Sequence, residues 1–190
     1  KRLNKYNVNT YAIIDDTRPT TYKKKFRSQN KTLLRINKFS ELEINEEYQS
    51  KLYNKFCELL DKTDLIILSD FNYGVLTKKM IEKIILKAQE EKKLIIADSQ
   101  TSSQIGNIGK FKNVNLITPT EHEARVELKD FTSGMVKISL DLIKQTRTNN
   151  LILTLNKDGV LIQGGSQNNW KTEKLPSLCK LAKDPAGCGD

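Results

Sequence analysis

LIILSDFNYGVLTKKMIEKIILKAQEEKKLIIAD, residues 65–98, decides the fold. Two short runs of Ile and Leu, LIILSD at 65–70 and LIIAD at 94–98, enclose a segment with helical spacing. Thr77 stands where an N-cap is needed, and Ile81, Ile84, Ile85 and Ala88 recur on one face of the helix that follows, with lysines on the other. Two more runs of the same kind follow, LITPT at 116–120 and LILTLN at 151–156. Continuous apolar runs of this length, separated by helical patterns, are what strands buried in a parallel sheet look like. Upstream, Asn45 can cap a helix carrying Tyr48, Leu52, Phe56, Leu59 and Leu60, and a further helix is expected over Ile138–Thr146. The repeating unit is strand then helix. It predicts an α/β protein of three layers, α/β/α, with a mainly parallel sheet and right-handed crossovers.

The stretch 18–39, RPTTYKKKFRSQNKTLLRINKF, obeys another rule. Apolar and basic residues alternate on both sides of SQNK, as in an antiparallel hairpin. A hairpin has no place inside a parallel core, so residues 17–39 read as a small β layer at the sheet edge, a lid. GGSQNNW at 164–170 reads as a surface loop.

Composition sets the outer limits. The 190 residues suit one domain, with 37% hydrophobic and 29% charged residues. No apolar run reaches the roughly 18–20 residues that cross a bilayer, and the first ten residues lack a signal peptide's apolar stretch, so no membrane partner and a cytoplasmic location are expected. Cys57, Cys179 and Cys188 are widely spaced, and His122 is the sole histidine, which argues for reduced thiols rather than disulfides or a metal cluster. The net charge of +9 is spread along the chain without a recognition motif, so nucleic acid is not the expected partner and small anionic ligands are.

In open parallel sheets, ligands gather beyond the carboxyl ends of the strands. That rule selects Ser69, Asp70 and Asn72, then Asp98, then Thr118, Thr120, Glu121 and Glu123, then Thr154 and Asn156. Three of the four ends carry a carboxylate, the chemistry of a metal-bound phosphate or of proton transfer. Each one taken singly is better explained by helix capping, and the set reads either way. At the end of the sequence, DPAGCGD at 184–190 sets Gly187 and Gly189 before Asp190, where bare amides could hold an anion beside a base.

Taken in order, these residues resemble the PfkB family of sugar kinases, with its ribokinase-like fold, and within it the heptose-7-phosphate kinases and the kinase half of bifunctional ADP-heptose synthases. DPAGCGD resembles the family's D-T-x-G-A-G-D, ITPTEHEA (117–124) its T-P-N-x-x-E, and TLNKDGVLI (154–162) its T-x-G-x-x-G strand pair. LSDFNYGVLT (68–77) is similar to the heptose kinases' S-D-Y-x-K-G-x-L-T, and the hairpin to their R-P-T-T segment with its N-x-x-L-L-R return strand.

The resemblance implies an enzyme, an ATP-dependent carbohydrate kinase acting on a sugar or sugar phosphate. Asp190 would be the catalytic base, and the amides of Ala186, Gly187, Cys188 and Gly189 would form the anion hole. Glu123 would help hold Mg²⁺ through water, and Thr120, Thr154, Asn156, Gly159 and Asp184 would lie on the ATP side. Arg18, Asp70 and Asp98 would face the substrate, and the basic hairpin would cover it, pairing with a second subunit as a homodimer. The chain departs from the family pattern at Thr120 (Asn expected), Asn156 (Gly), Tyr73 (Lys), Pro185 (Thr) and 97–100, where ADSQ stands for a D-P-K stretch. Family domains run to roughly 300 residues, so the sequence reads as a partial domain with weak or no activity by itself. The rival reading is a non-catalytic relative that binds nucleotide or sugar phosphate.

Overall fold

The computed structural model describes residues 3–28, 31–40, 42–99, 107–166 and 169–178. The segment DPAGCGD, with Asp184, Ala186, Gly187, Cys188, Gly189 and Asp190, lies outside them.

Strands β1 (Tyr22–Ser28) and β2 (Lys31–Lys38) form an antiparallel pair with Lys23 opposite Asn37 and Lys25 opposite Arg35. The register shifts between Phe26 and Arg27. The expected hairpin is thus present, and it is a sheet of its own. The remaining strands form one six-stranded sheet, β3 (Leu65–Asp70), β4 (Leu94–Ser99), β5 (Leu116–Ile117), β6 (Asn150–Thr154), β7 (Val160–Ser166) and β8 (Asn169–Leu175), in spatial order β3-β4-β5-β6-β7-β8. The first four are parallel, and β7 and β8 add to the sheet as antiparallel neighbours. GGSQNNW is therefore no surface loop: residues 164–166 and 169–170 continue β7 and β8, because cross-strand pairing of a two-sided, Gly-containing segment depends on its partner and not on its own pattern. LITPT is strand only at Leu116–Ile117, since Pro119 has no N–H for a ladder, though an isolated bridge still joins Thr120 to Thr154.

The helices begin where their caps dictate. In α1 (Glu46–Leu60), the Asn45 side chain accepts from the Tyr48 amide at 3.0 Å, and Glu46 and Glu47 answer the positive end of the dipole. In α2 (Lys78–Glu90), Thr77 accepts from the Met80 amide, and Met80, Ile81, Ile84, Ile85 and Ala88 are buried. Helices α3 (Glu121–Leu128) and α4 (Met135–Thr146) connect β5 to β6, so the last helix starts three residues before the expected Ile138. Cys57 on α1 is half-buried.

Strand order and sequence order coincide, so every parallel crossover steps the same way, and right-handed crossovers then lay their helices on the same face. Burial agrees. Ile66, Leu68, Ile95, Ala97, Ile117, Leu151 and Leu153 are buried with the apolar sides of α2 and α4 in one core. The residues between them point to the opposite face, where Leu65, Ile67 and Leu94 are 42%, 62% and 55% exposed. A parallel sheet normally hides both faces, so among the described residues one helical layer of the ribokinase-like arrangement is in place.

Candidate functional site

The carboxyl ends of β3 to β6 carry two polar clusters on opposite faces of the sheet. The first is on the helical face. Asp70 is 3% exposed; its Oδ1 accepts from the Asn72 amide at 3.0 Å and its Oδ2 pairs with the Lys110 ammonium. Lys110 also donates to Asn72 Oδ1 at 2.9 Å, and Asn72 Nδ2 donates to Ser99 Oγ at 3.0 Å. Asn72 holds a left-handed backbone, φ 57°, which asparagine tolerates better than most residues. Lys110 ends a short 3₁₀ turn, Ile108–Lys110, anchored by the buried Ile108 and Phe111. The expected substrate carboxylate, Asp70, is thus tied to a cation that nothing in the local sequence announces: Lys110 lies 40 residues away, and only the fold joins the two.

The second cluster faces the uncovered side. Thr118 Oγ1 donates to Asp98 Oδ1 at 3.0 Å, and Thr120 and Thr154 meet at the bridge between the ends of β5 and β6. Thr120 caps α3 in a capping box: its hydroxyl accepts from the Glu123 amide at 3.2 Å, and Glu123 Oε2 accepts from the Thr120 amide at 2.8 Å. Glu123 is 7% exposed, so the box presents a buried carboxylate at the positive end of a helix. His122 beside it is exposed, in line with a solvated position.

Beyond Thr154 the chain turns through Asn156–Asp158 into β7. Asn156 is left-handed at φ 53° and exposed. Gly159 has φ 90°, and a Cβ there would lie 2.0 Å from the Leu175 carbonyl oxygen, so only glycine fits. Thr120, Glu123 and Thr154 come together at one point of the rim, with Asn156 and Gly159 on the turn that follows; Asp98 sits at the end of the neighbouring β4, and Asp70 is on the other face.

The hairpin meets the body at the end of β3. Arg18 Nη2 donates to the carbonyls of Ser40 and Tyr73, so this guanidinium fastens the hairpin's root to the loop after β3. A cavity of about 500 Å³ lies beside it, lined by Asp15, Arg18, Thr20, Ser40, Tyr48 and Tyr73 among others. Phe39 packs on Tyr73 with ring centroids 5.0 Å apart, and Phe71 stacks near Tyr73 at 6.2 Å. The Lys23 ammonium of β1 rests over both rings, 5.3 Å from Tyr73 and 5.6 Å from Phe71. Alternation and register place Lys25 and Arg35 on the same side of the hairpin as Lys23. Tyr22, Phe26, Leu34 and Ile36 lie on the other side, all exposed.

A mainly parallel sheet, a polar rim at its carboxyl edge and a basic two-stranded flap beside it define a ribokinase-like α/β protein. A ribokinase from Giardia lamblia aligns over 99% of this chain and 57% of its own with a TM-score of 0.68 at 15% identity, and Escherichia coli phosphofructokinase-2 in complex with fructose-6-phosphate over 78% and 49% with a TM-score of 0.54 at 15% identity. The chain belongs to the pfkB family of carbohydrate kinases, whose model matches residues 1–190. Among curated proteins, bifunctional protein HldE of Helicobacter pylori strain Shi470 is 30% identical over 189 residues, 97% of this chain, and that of a Nitratiruptor species is 26% identical over 193, the whole of it. The chain spans 39% of the length of each.

Proposed function

We propose that this chain is part of a cytoplasmic, ATP-dependent kinase that phosphorylates a hydroxyl of a sugar phosphate resembling heptose 7-phosphate, in the service of ADP-heptose biosynthesis. The observation that carries the reading is the meeting of Thr120, Glu123 and Thr154 at one point of the strand rim, with a hairpin whose basic side meets the same carboxyl rim farther along, at the end of β3. Family membership supports phosphoryl transfer to a carbohydrate, and the HldE relatives support the heptose choice.

The residues present fit the cofactors the family implies. Among the described residues no three His, Cys, Asp or Glu side chains gather as a metal cage, whereas the buried carboxylate of Glu123, at the rim between β5 and β6, suits contact with Mg²⁺ through water. When bound there, the ion would supply charge neutralisation to the phosphates. Thr154, Asn156 and Gly159 would line the nucleotide, with the two left-handed backbones shaping the turn. In this reading Asp98 faces the acceptor, Asp70 positions the loop after β3, and Asp184 belongs to the same motif as the catalytic groups. Asp190 takes the proton of the attacking hydroxyl while the amides of 186–189 stabilise the transferring group. The exposed Tyr22, Phe26, Leu34 and Ile36 side of the hairpin would pair with a second subunit.

Transfer of labelled phosphate from ATP to heptose 7-phosphate by the full chain tests the reading. Asp190→Asn should lower turnover about a hundredfold or more with ATP affinity kept. Tight binding without any turnover by the unsubstituted protein would favour the rival, a non-catalytic binding relative, which the changes at positions 73, 120, 156 and 185 make the natural second choice.

A further inference from the structure

We propose that Lys23 is the specificity-determining cation of the acceptor site, the group that recognises an anionic substituent on the sugar. The inference rests on the kinase reading above and deepens it. Arg18, the cation the sequence puts forward at the hairpin, is half-buried and gives Nη2 to two backbone carbonyls that hold the hairpin's root. Lys110, the other cation near the end of β3, is 9% exposed and shared between Asp70 and Asn72. Lys23 differs from both. It is exposed, it has no carboxylate partner among the described residues, and its ammonium lies over the rings of Tyr73 and Phe71 in the loop that follows β3.

That arrangement suits anion recognition. A ring face holds a cation without neutralising it, so the ammonium is fixed in place while its charge and its donors remain available on the side away from the rings. A lysine with a carboxylate partner would have to give that partner up before binding phosphate. Two aromatic faces also restrict a long, flexible side chain before the ligand arrives, which lowers the ordering cost of binding. The hairpin side that carries Lys23 carries Lys25 and Arg35 as well, so the local field attracts anions to the same edge. The expected ligand is a sugar bearing a phosphate, distinguished from the same sugar without one.

The test compares heptose 7-phosphate with free heptose on the full chain. Lys23→Met should raise KM for heptose 7-phosphate roughly tenfold to a hundredfold, the loss of one charge-assisted hydrogen bond, with kcat and the KM for ATP changed less than about threefold. Values for free heptose should not change, and Lys23→Arg should recover most of the loss. Tyr73→Leu, which removes part of the platform and leaves the charge, should give an intermediate effect on the same parameter. Equal losses for both sugars, or none for either, would overturn the assignment. Should the protein turn over no sugar at all, the kinase reading fails and calorimetric binding of heptose 7-phosphate decides this one separately: a tenfold weaker affinity in Lys23→Met supports it, and an unchanged affinity, or no binding by the unsubstituted protein, overturns it.

Discussion

At Gly159 a single hydrogen atom in place of a side chain lets the β6–β7 turn close against β8. Gly159→Ala would force a positive φ on an L-residue and press its methyl group onto the Leu175 carbonyl, so a loss of about 1–3 kcal/mol is expected in chemical denaturation. Asp130, between α3 and α4, offers a second check. Hydrogen bonds from Ser133, through side chain and backbone, and from Thr132 hold its carboxyl well below the usual carboxylate range. A depressed folded value means that the stabilisation is complete above the ordinary carboxylate pKa and fades as pH falls through the folded one. Asp130→Asn should therefore lower the thermal midpoint at neutral pH, with the difference from the parent protein shrinking in acid. The caps Asn45 and Thr77 were legible in the sequence because a cap is a local event. Lys110 was not: a buried lysine has no sequence pattern, and its carboxylate partner is brought to it by a parallel crossover.

Elements behave differently from residues because their two sides can be read apart. The hairpin's alternation was plain in the sequence, and the pairing of Lys23 with Asn37 shows which residues share a side. If its apolar side joins two subunits, Phe26→Lys with Ile36→Lys should halve the mass found by analytical ultracentrifugation without unfolding the protein, since both side chains are exposed in one subunit. A monomeric parent protein would remove that reading. The loop after β3 depends on its ion pair. Lys110→Met would leave a buried carboxylate alone, at a cost of about 3–5 kcal/mol, and adding Asp70→Asn should restore much of it. The reading of 164–170 as a loop failed at this scale, because glycines and polar residues are equally at home in an antiparallel extension whose partner strand fixes the pairing.

For the molecule as a whole, the parallel sheet was legible in four Ile- and Leu-rich runs, whereas its strand order is known from the pairing of the strands. Among the described residues one face of the sheet has no helical layer, and Leu65, Ile67 and Leu94 on it are exposed, the larger consequence of that order. A protein consisting of these 190 residues alone should bind a hydrophobic dye and associate as its concentration rises, as contiguous apolar surface of this kind does. Dye binding no greater than that of a well-covered domain of similar size would contradict the one-layered sheet.

Because each strand lies beside the one that precedes it in the sequence, a nascent chain leaving the ribosome can add β4 to β3, then β5, then each later neighbour, without waiting for a distant partner to be translated. The two antiparallel strands complete the series from the side synthesised last.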